Sequence, residues 1–210
     1  SLANVLQLIM TSTGHTTAEV NARNASFNEL RNYDRNFTLI KASSDTRTSA
    51  IQTDQALSTV NPTLTTVFPN TSLGRQLLQV ARLIKACTDP TAGINMKRQI
   101  FFCQIGGFDT HSNQTSGTFT GGQGNLMTQV SAAMRAFYDA TVELNLANKI
   151  TTFTLSDFSR TLQPAGTGIN TVGSDHAWGN NHFIMGGAVN GGRFFGTYPT
   201  LSLGGPDDTD

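Results

Sequence analysis

Apolar residues recur at helical spacing in two stretches of the chain and bunch into short runs in two others. In LGRQLLQVARLIKA, Leu77, Leu78, Ala81, Leu83 and Ile84 follow the helical period, while Arg75, Gln79, Arg82 and Lys85 fall mostly on the other side. The pattern predicts a helix packed on a sheet. QIFFCQI, residues 99–105, is the short aromatic and β-branched run expected of a strand buried on both faces, and Gly106-Gly107 ends it. Across GNLMTQVSAAMRAFYDATVELNLANK, Leu126, Val130, Ala133, Phe137, Thr141 and Leu144 trace one face of a helix of about six turns. ITTFTL, residues 150–155, is a second strand. Strand, helix and strand in this order predict a βαβ unit with parallel strands and a right-handed crossover. HFIMGGAV and GRFFGTYP add two further short strands, with Asn190-Gly191-Gly192 as a hairpin turn between them.

Before Leu73 the pattern weakens. LANVLQLIM and SAIQTDQAL are helix-compatible stretches set among Thr, Ser and Asn, and Asn61-Pro62 with the PNTS of residues 69–72 marks an irregular connection. Residues 1–72 therefore read as a helical and irregular N-terminal segment of the same domain, and residues 73–210 as its α/β core. The expected architecture is a mostly parallel central sheet flanked by helices. There is no internal repeat.

Composition narrows the partners. Lys plus Arg and Asp plus Glu are 14 each, so the formal charge cancels and no basic stripe is present for a nucleic-acid backbone. No apolar run reaches the ~18 residues of a membrane helix, and the N-terminus lacks a signal-peptide pattern. A charged fraction of only 13%, with abundant Thr, Asn, Ser and Gly, suits a secreted or envelope protein. The two cysteines, Cys87 and Cys103, allow either one disulfide or buried thiols.

Ligands of open parallel sheets gather at the carboxyl ends of strands, and two such ends carry chemistry here. The first bears Asp109 and His111 in GGFDTHSNQ; the second runs into Asp157 and Arg160, followed by Asp175, His176 and His182 in SDHAWGNNH. Carboxylates and imidazoles are the donors that Zn²⁺ or Mn²⁺ takes. Asp109 and His111 share a face if the segment is extended, whereas Asp175 and His176 point apart on a strand and need a loop or separate metals. Each residue alone has a plainer reading. Asp109 and Asp157 suit turn caps, His111 a bond to a backbone carbonyl, Arg160 an ion pair, His182 a strand position and Trp178 a packing position. His15 stands alone in a polar stretch and carries no functional reading.

GGFDTHSNQ, TTFTLSDFSRTL and GSDHAWGNNHFIMGGAVNGGRFFGTYPTLSLGGPDD, in this order, resemble the bacterial family called domain of unknown function 1501. That resemblance implies a relation to the alkaline phosphatase and sulfatase superfamily. It implies an α/β sandwich with divalent metal at the strand ends, a periplasmic or secreted location, and small anionic esters or sulfated or phosphorylated polymers as substrates. Asp109 and His111 match the family's Asp-x-His, Asp175 and His176 its Asp-His pair, and Asp157 the superfamily's acidic ligand at a strand end. Two departures stand out. Asp157-Phe158 replaces the superfamily's Asp-His unless His176 or His182 substitutes, and Phe158-Ser159-Arg160-Thr161 replaces the family's Phe-Gly-Arg-Thr, leaving Arg160 to hold an anion. The superfamily's first metal-binding Asp and its Ser or Thr nucleophile have no counterpart here. The sandwich is then incomplete in this chain, which reads as part of a longer protein with the remainder of that chain as a partner.

The expected function is a metal-dependent hydrolase of phosphate or sulfate esters, with Asp109, His111, Asp157, Asp175, His176 and His182 as metal ligands, Zn or Mn as the metal and Arg160 on the anion. The alternative is a non-catalytic envelope or extracellular protein on the same fold. A third reading, a carbohydrate-active hydrolase using Asp109 and Asp157 as a carboxylate pair, depends on their separation.

Overall fold

The structure is a computed structural model that describes residues 14–59, 63–88, 98–115, 121–168 and 170–208. LANVLQLIM, Asn61-Pro62 and DPTAGIN lie outside the described residues. The chain divides into two compact units, one of Ser1–Pro62 with Ala86–Lys97 and one of Thr63–Lys85 with Arg98–Asp210.

The first unit contributes helices α1 (Thr17–Asn32) and α2 (Thr38–Thr59). A capping box starts α1: the Thr16 side chain accepts from the Glu19 amide, and the Glu19 carboxylate accepts from the Thr16 amide. The Thr16 amide, and then the Thr16 hydroxyl, both donating to that carboxylate, hold the Glu19 carboxyl below its ordinary pKa. No side chain of α1 is buried, so polar contacts join it to α2. Arg31 donates to Thr48 Oγ1 at 2.6 Å, Ser44 Oγ donates to the Arg31 carbonyl at 2.6 Å, and Arg35 pairs with Asp45.

The second unit is built on α3 (Ser72–Thr88) and α4 (Gly122–Glu143). Leu73, Leu77, Val80 and Ala81 of α3 meet Ala133, Phe137 and Ala140 of α4, and Leu64, Phe68, Val130 and Ile150 pack around them. The spacing of Ala133, Ala136, Phe137, Ala140 and Thr141 is the helical period foreseen from sequence, and the alanines give α4 a small-residue face. Beyond the end of that face, Glu143 accepts from the Thr65 amide at 2.8 Å, the Thr66 amide at 2.9 Å and the Thr66 hydroxyl at 2.6 Å. These bonds, led by the Thr66 side chain, lower the Glu143 carboxyl to about 2.

The strands are short: β1 (Thr152–Phe153), β2 (Ser159–Ala165), β3 (Gly173–Ala177) and β4 (Ile184–Met185). β1 pairs with β4 and β2 with β3, both antiparallel, so the fold is mixed α/β with two small antiparallel sheets. No parallel sheet is present among the described residues. The segment 99–105 forms no strand: the Gln76 side chain bonds both the amide and the carbonyl of Gln104, at 2.9 and 2.8 Å, where a neighbouring strand would. Its burial is one-sided as well. Cys103 and Ile105 pack on the helical core, while Ile100 and Phe102 are 98% and 84% exposed. The ITTFTL run is likewise half-covered, with Phe153 and Leu155 exposed. Asn190-Gly191-Gly192 joins no two strands, because β4 ends at Met185 and pairs back to β1. Cys87 and Cys103 form no disulfide, and burial pushes the Cys103 thiol up. No described helix is long and apolar enough to cross a membrane.

Candidate metal centre

The left-handed backbone at Gly107, with φ of 95°, turns the chain after the 99–105 segment. Residues 110–114 then run antiparallel beside 171–174, with Asn113 N donating to Thr171 O at 3.1 Å and Gln114 N to Val172 O at 3.1 Å. Gly173 makes this approach possible, since a Cβ there would lie 2.1 Å from the His111 carbonyl carbon. The first turn of α4 closes the other side, where Gly122 N donates to Asn113 O and Gln123 N to Gln114 O.

A buried polar scaffold supports this junction. Ser174 and Thr110 are 4% and 8% exposed. Ser174 Oγ donates to Gln114 Oε1 at 2.7 Å, and Thr110 Oγ1 lies 3.2 Å from both Gln114 Oε1 and Gln123 Oε1. Arg160, opposite His176 in the β2–β3 register, donates to the Ser174 carbonyl and places Nη1 2.9 Å from Asp109 Oδ1. Its side chain is only 10% exposed, so it reaches Asp109 from beneath.

Above that scaffold, Asp109, His111 and His176 bring one carboxylate oxygen and two imidazole nitrogens within 4.8 Å of one another. Asp109 Oδ1 is the hub: His111 Nε2 is 2.9 Å away and His176 Nε2 2.8 Å. The bond from His176, then that from Arg160, holds the Asp109 carboxyl below its ordinary pKa, so the hub is anionic at neutral pH. Asp175 Oδ1 lies 3.0 Å from the opposite nitrogen of His111, Nδ1. Phe158 stacks on His176 with centroids 4.0 Å apart and planes 12° apart. Two imidazoles and a carboxylate, half-exposed on one side, make the kind of three-ligand set that leaves a divalent cation a position for water or substrate.

The profile of the family described as "Protein of unknown function (DUF1501)" matches residues 16–207. The chain belongs to the DUF1501 family. No curated protein and no solved structure matches it.

In this DUF1501 chain the expected site residues separate. Asp109, His111 and His176 converge, and Asp175 touches only His111 among them. Asp157, exposed in the connection from β1 to β2, and His182, exposed just before β4, do not join the cluster among the described residues. Asp175 and His176 both lie on β3, and both reach the Asp109–His111 pair, Asp175 at His111 Nδ1 and His176 at Asp109 Oδ1. Arg160 forms an ion pair with Asp109, one of its two expected roles, and donates to the Ser174 carbonyl. Trp178, expected to pack, is 77% exposed. Sequence reasoning missed Thr110, Gln114 and Ser174, which carry no distinguishing signal because polar residues of loops are ordinarily solvated. It noted Phe158 only as a departure.

Proposed function

We propose that the second unit carries a metal-dependent hydrolase site for phosphate or sulfate esters, in which Asp109, His111 and His176 hold a divalent cation, Zn²⁺ or Mn²⁺. The observation that supports this reading is the convergence of their three ligand atoms over a buried polar scaffold. A bound cation would supply Lewis acidity toward an ester oxygen and lower the pKa of water. The chain's own residues do the rest. Arg160 fixes Asp109, and Ser174 with Gln114 fixes Arg160 and the loop. The Ser174 hydroxyl donates to Gln114 and the Thr161 hydroxyl to the Gln163 carbonyl, bonds that brace β2, β3 and the 110–114 loop. The relation to alkaline phosphatases and sulfatases, their sandwich with its mostly parallel sheet, and a periplasmic or secreted location belong to the same proposal.

The test is metal content by plasma mass spectrometry after loading with Zn²⁺ or Mn²⁺, with hydrolysis of nitrophenyl phosphate and nitrophenyl sulfate measured alongside. Retained metal, lost in His111→Ala and His176→Ala, supports the reading. A folded protein that retains no metal and cleaves neither ester moves the chain to a second reading, a non-catalytic envelope protein. One observation favours that alternative: Phe158 occupies the place of a superfamily histidine and covers a face of His176.

A further inference from the structure

We propose that Asp175 is a positioning residue and not a metal ligand: its carboxylate accepts a hydrogen bond from Nδ1–H of His111 and so holds the ring with Nε2 toward the cation. The inference rests on the metal reading above and assigns this acidic residue a different task within it. Geometry separates Asp175 from the ligands. Its Oδ1 meets Nδ1 of His111 at 3.0 Å, whereas the nitrogen facing Asp109 and His176 is Nε2. Each nitrogen of His111 faces a carboxylate, so with a cation on Nε2 the single proton of the neutral imidazole sits on Nδ1, where Asp175 accepts its hydrogen bond.

The division lies at the His111 ring: Asp175 meets its Nδ1 at 3.0 Å, while His176, its ring 5.0 Å from that of His111, turns Nε2 to Asp109. The Asp175 amide donates to Thr161 Oγ1 at 3.1 Å, which anchors that part of β3 to β2. Gly173 brings the His111 backbone against β3, within reach of the Asp175 carboxylate. His176 is held differently, by the stacked Phe158 ring, over which the Arg160 guanidinium lies at 5.6 Å. One ligand imidazole is thus oriented by a carboxylate and the other by an aromatic face. A carboxylate behind a ligand histidine fixes its ring and raises its basicity, and removing such a partner lowers metal affinity about 10- to 100-fold.

The experiment uses the whole 210-residue chain. Calorimetric titration with Zn²⁺ should show Asp175→Asn binding about 10- to 100-fold more weakly at unchanged stoichiometry. The absorption bands of the Co²⁺-substituted protein should keep their position and intensity in Asp175→Asn, because the ligand set is intact, and should change in Asp109→Asn. Nitrogen NMR of the Zn²⁺-loaded wild type should show His111 with its proton on Nδ1, in a hydrogen bond that Asp175→Ala loses. Altered Co²⁺ bands in Asp175→Asn would make Asp175 a ligand and overturn the proposal. Unchanged Zn²⁺ affinity would remove its role altogether. A wild type that binds no Zn²⁺ ends the metal reading and this inference with it, whereas wild type and Asp175→Asn binding Zn²⁺ equally well end this inference alone.

Discussion

Two parts of the second unit are held by opposite means. Between α3 and α4 the contact is apolar and built from small residues: Ala81, Ala133 and Ala140 are 0–1% exposed, and Phe137 fills the space among them. At the junction of β2, β3 and residues 109–114, what is buried is polar: Ser174, Thr110 and the Arg160 side chain. Apolar burial is non-directional and tolerates small adjustments, while a network of directed bonds holds its geometry only if every member is satisfied. The helical layer therefore supplies stability, and the polar junction supplies position.

Damage to one part should leave a signature different from damage to the other. The largest effect is expected of His176→Ala, which removes one of the three proposed ligands: Zn²⁺ binding should vanish in calorimetry while the melting temperature of the metal-free protein barely moves. Phe137→Ala should do the reverse. It empties the centre of the helical layer, so chemical denaturation should show a loss of about 3–5 kcal/mol, with near-normal Zn²⁺ affinity in the fraction still folded. Ser174→Ala removes a buried donor to Gln114 Oε1 and should cost about 1–3 kcal/mol, but with a clear drop in Zn²⁺ affinity that Phe137→Ala does not share. Equal losses of affinity in those two variants would erase the distinction between the regions.

The smallest effect concerns Glu143, which ties the end of α4 to Thr65 and Thr66. Its folded pKa of about 2 lies below the ordinary value of 4.5, so its contribution is fully present above the ordinary value and is lost as pH falls toward 2. The stability gap between wild type and Glu143→Gln should thus be constant near neutrality and close between about pH 5 and 2. Paired thermal melts across that range test it, and a gap that persists at the acid end would assign the effect to something other than carboxylate charge.

How much of this was legible in the chain depended on whether the signal was local. α4 was legible because Val130, Ala133, Phe137 and Thr141 repeat at the helical period within one segment. The start of α1 was equally readable in Thr16-x-x-Glu19, a capping-box spacing that periodicity alone overlooks. QIFFCQI has the composition of a buried strand, but a strand also needs a neighbour, and composition does not say where that neighbour is. β2 contains Pro164 and three exposed residues, so neither propensity nor alternation announced it. Within the site, Asp109 and His111 were readable as a pair from their two-residue spacing. The engagement of Arg160 with Asp109 spans 51 positions, and the split between His176 as ligand and Asp175 as support depends on which nitrogen of His111 faces which carboxylate.

Gly173 gives the site a vulnerability in descent. Any side chain there collides with the His111 backbone and pushes residues 109–111 off β3, although Asp109, His111 and His176 are still spelled in the sequence. A single codon change would thus dismantle the proposed site in a lineage without touching those three residues. A census of relatives that scored the three letters alone would count such descendants as carrying the constellation; reading the glycine with them would tell the two apart.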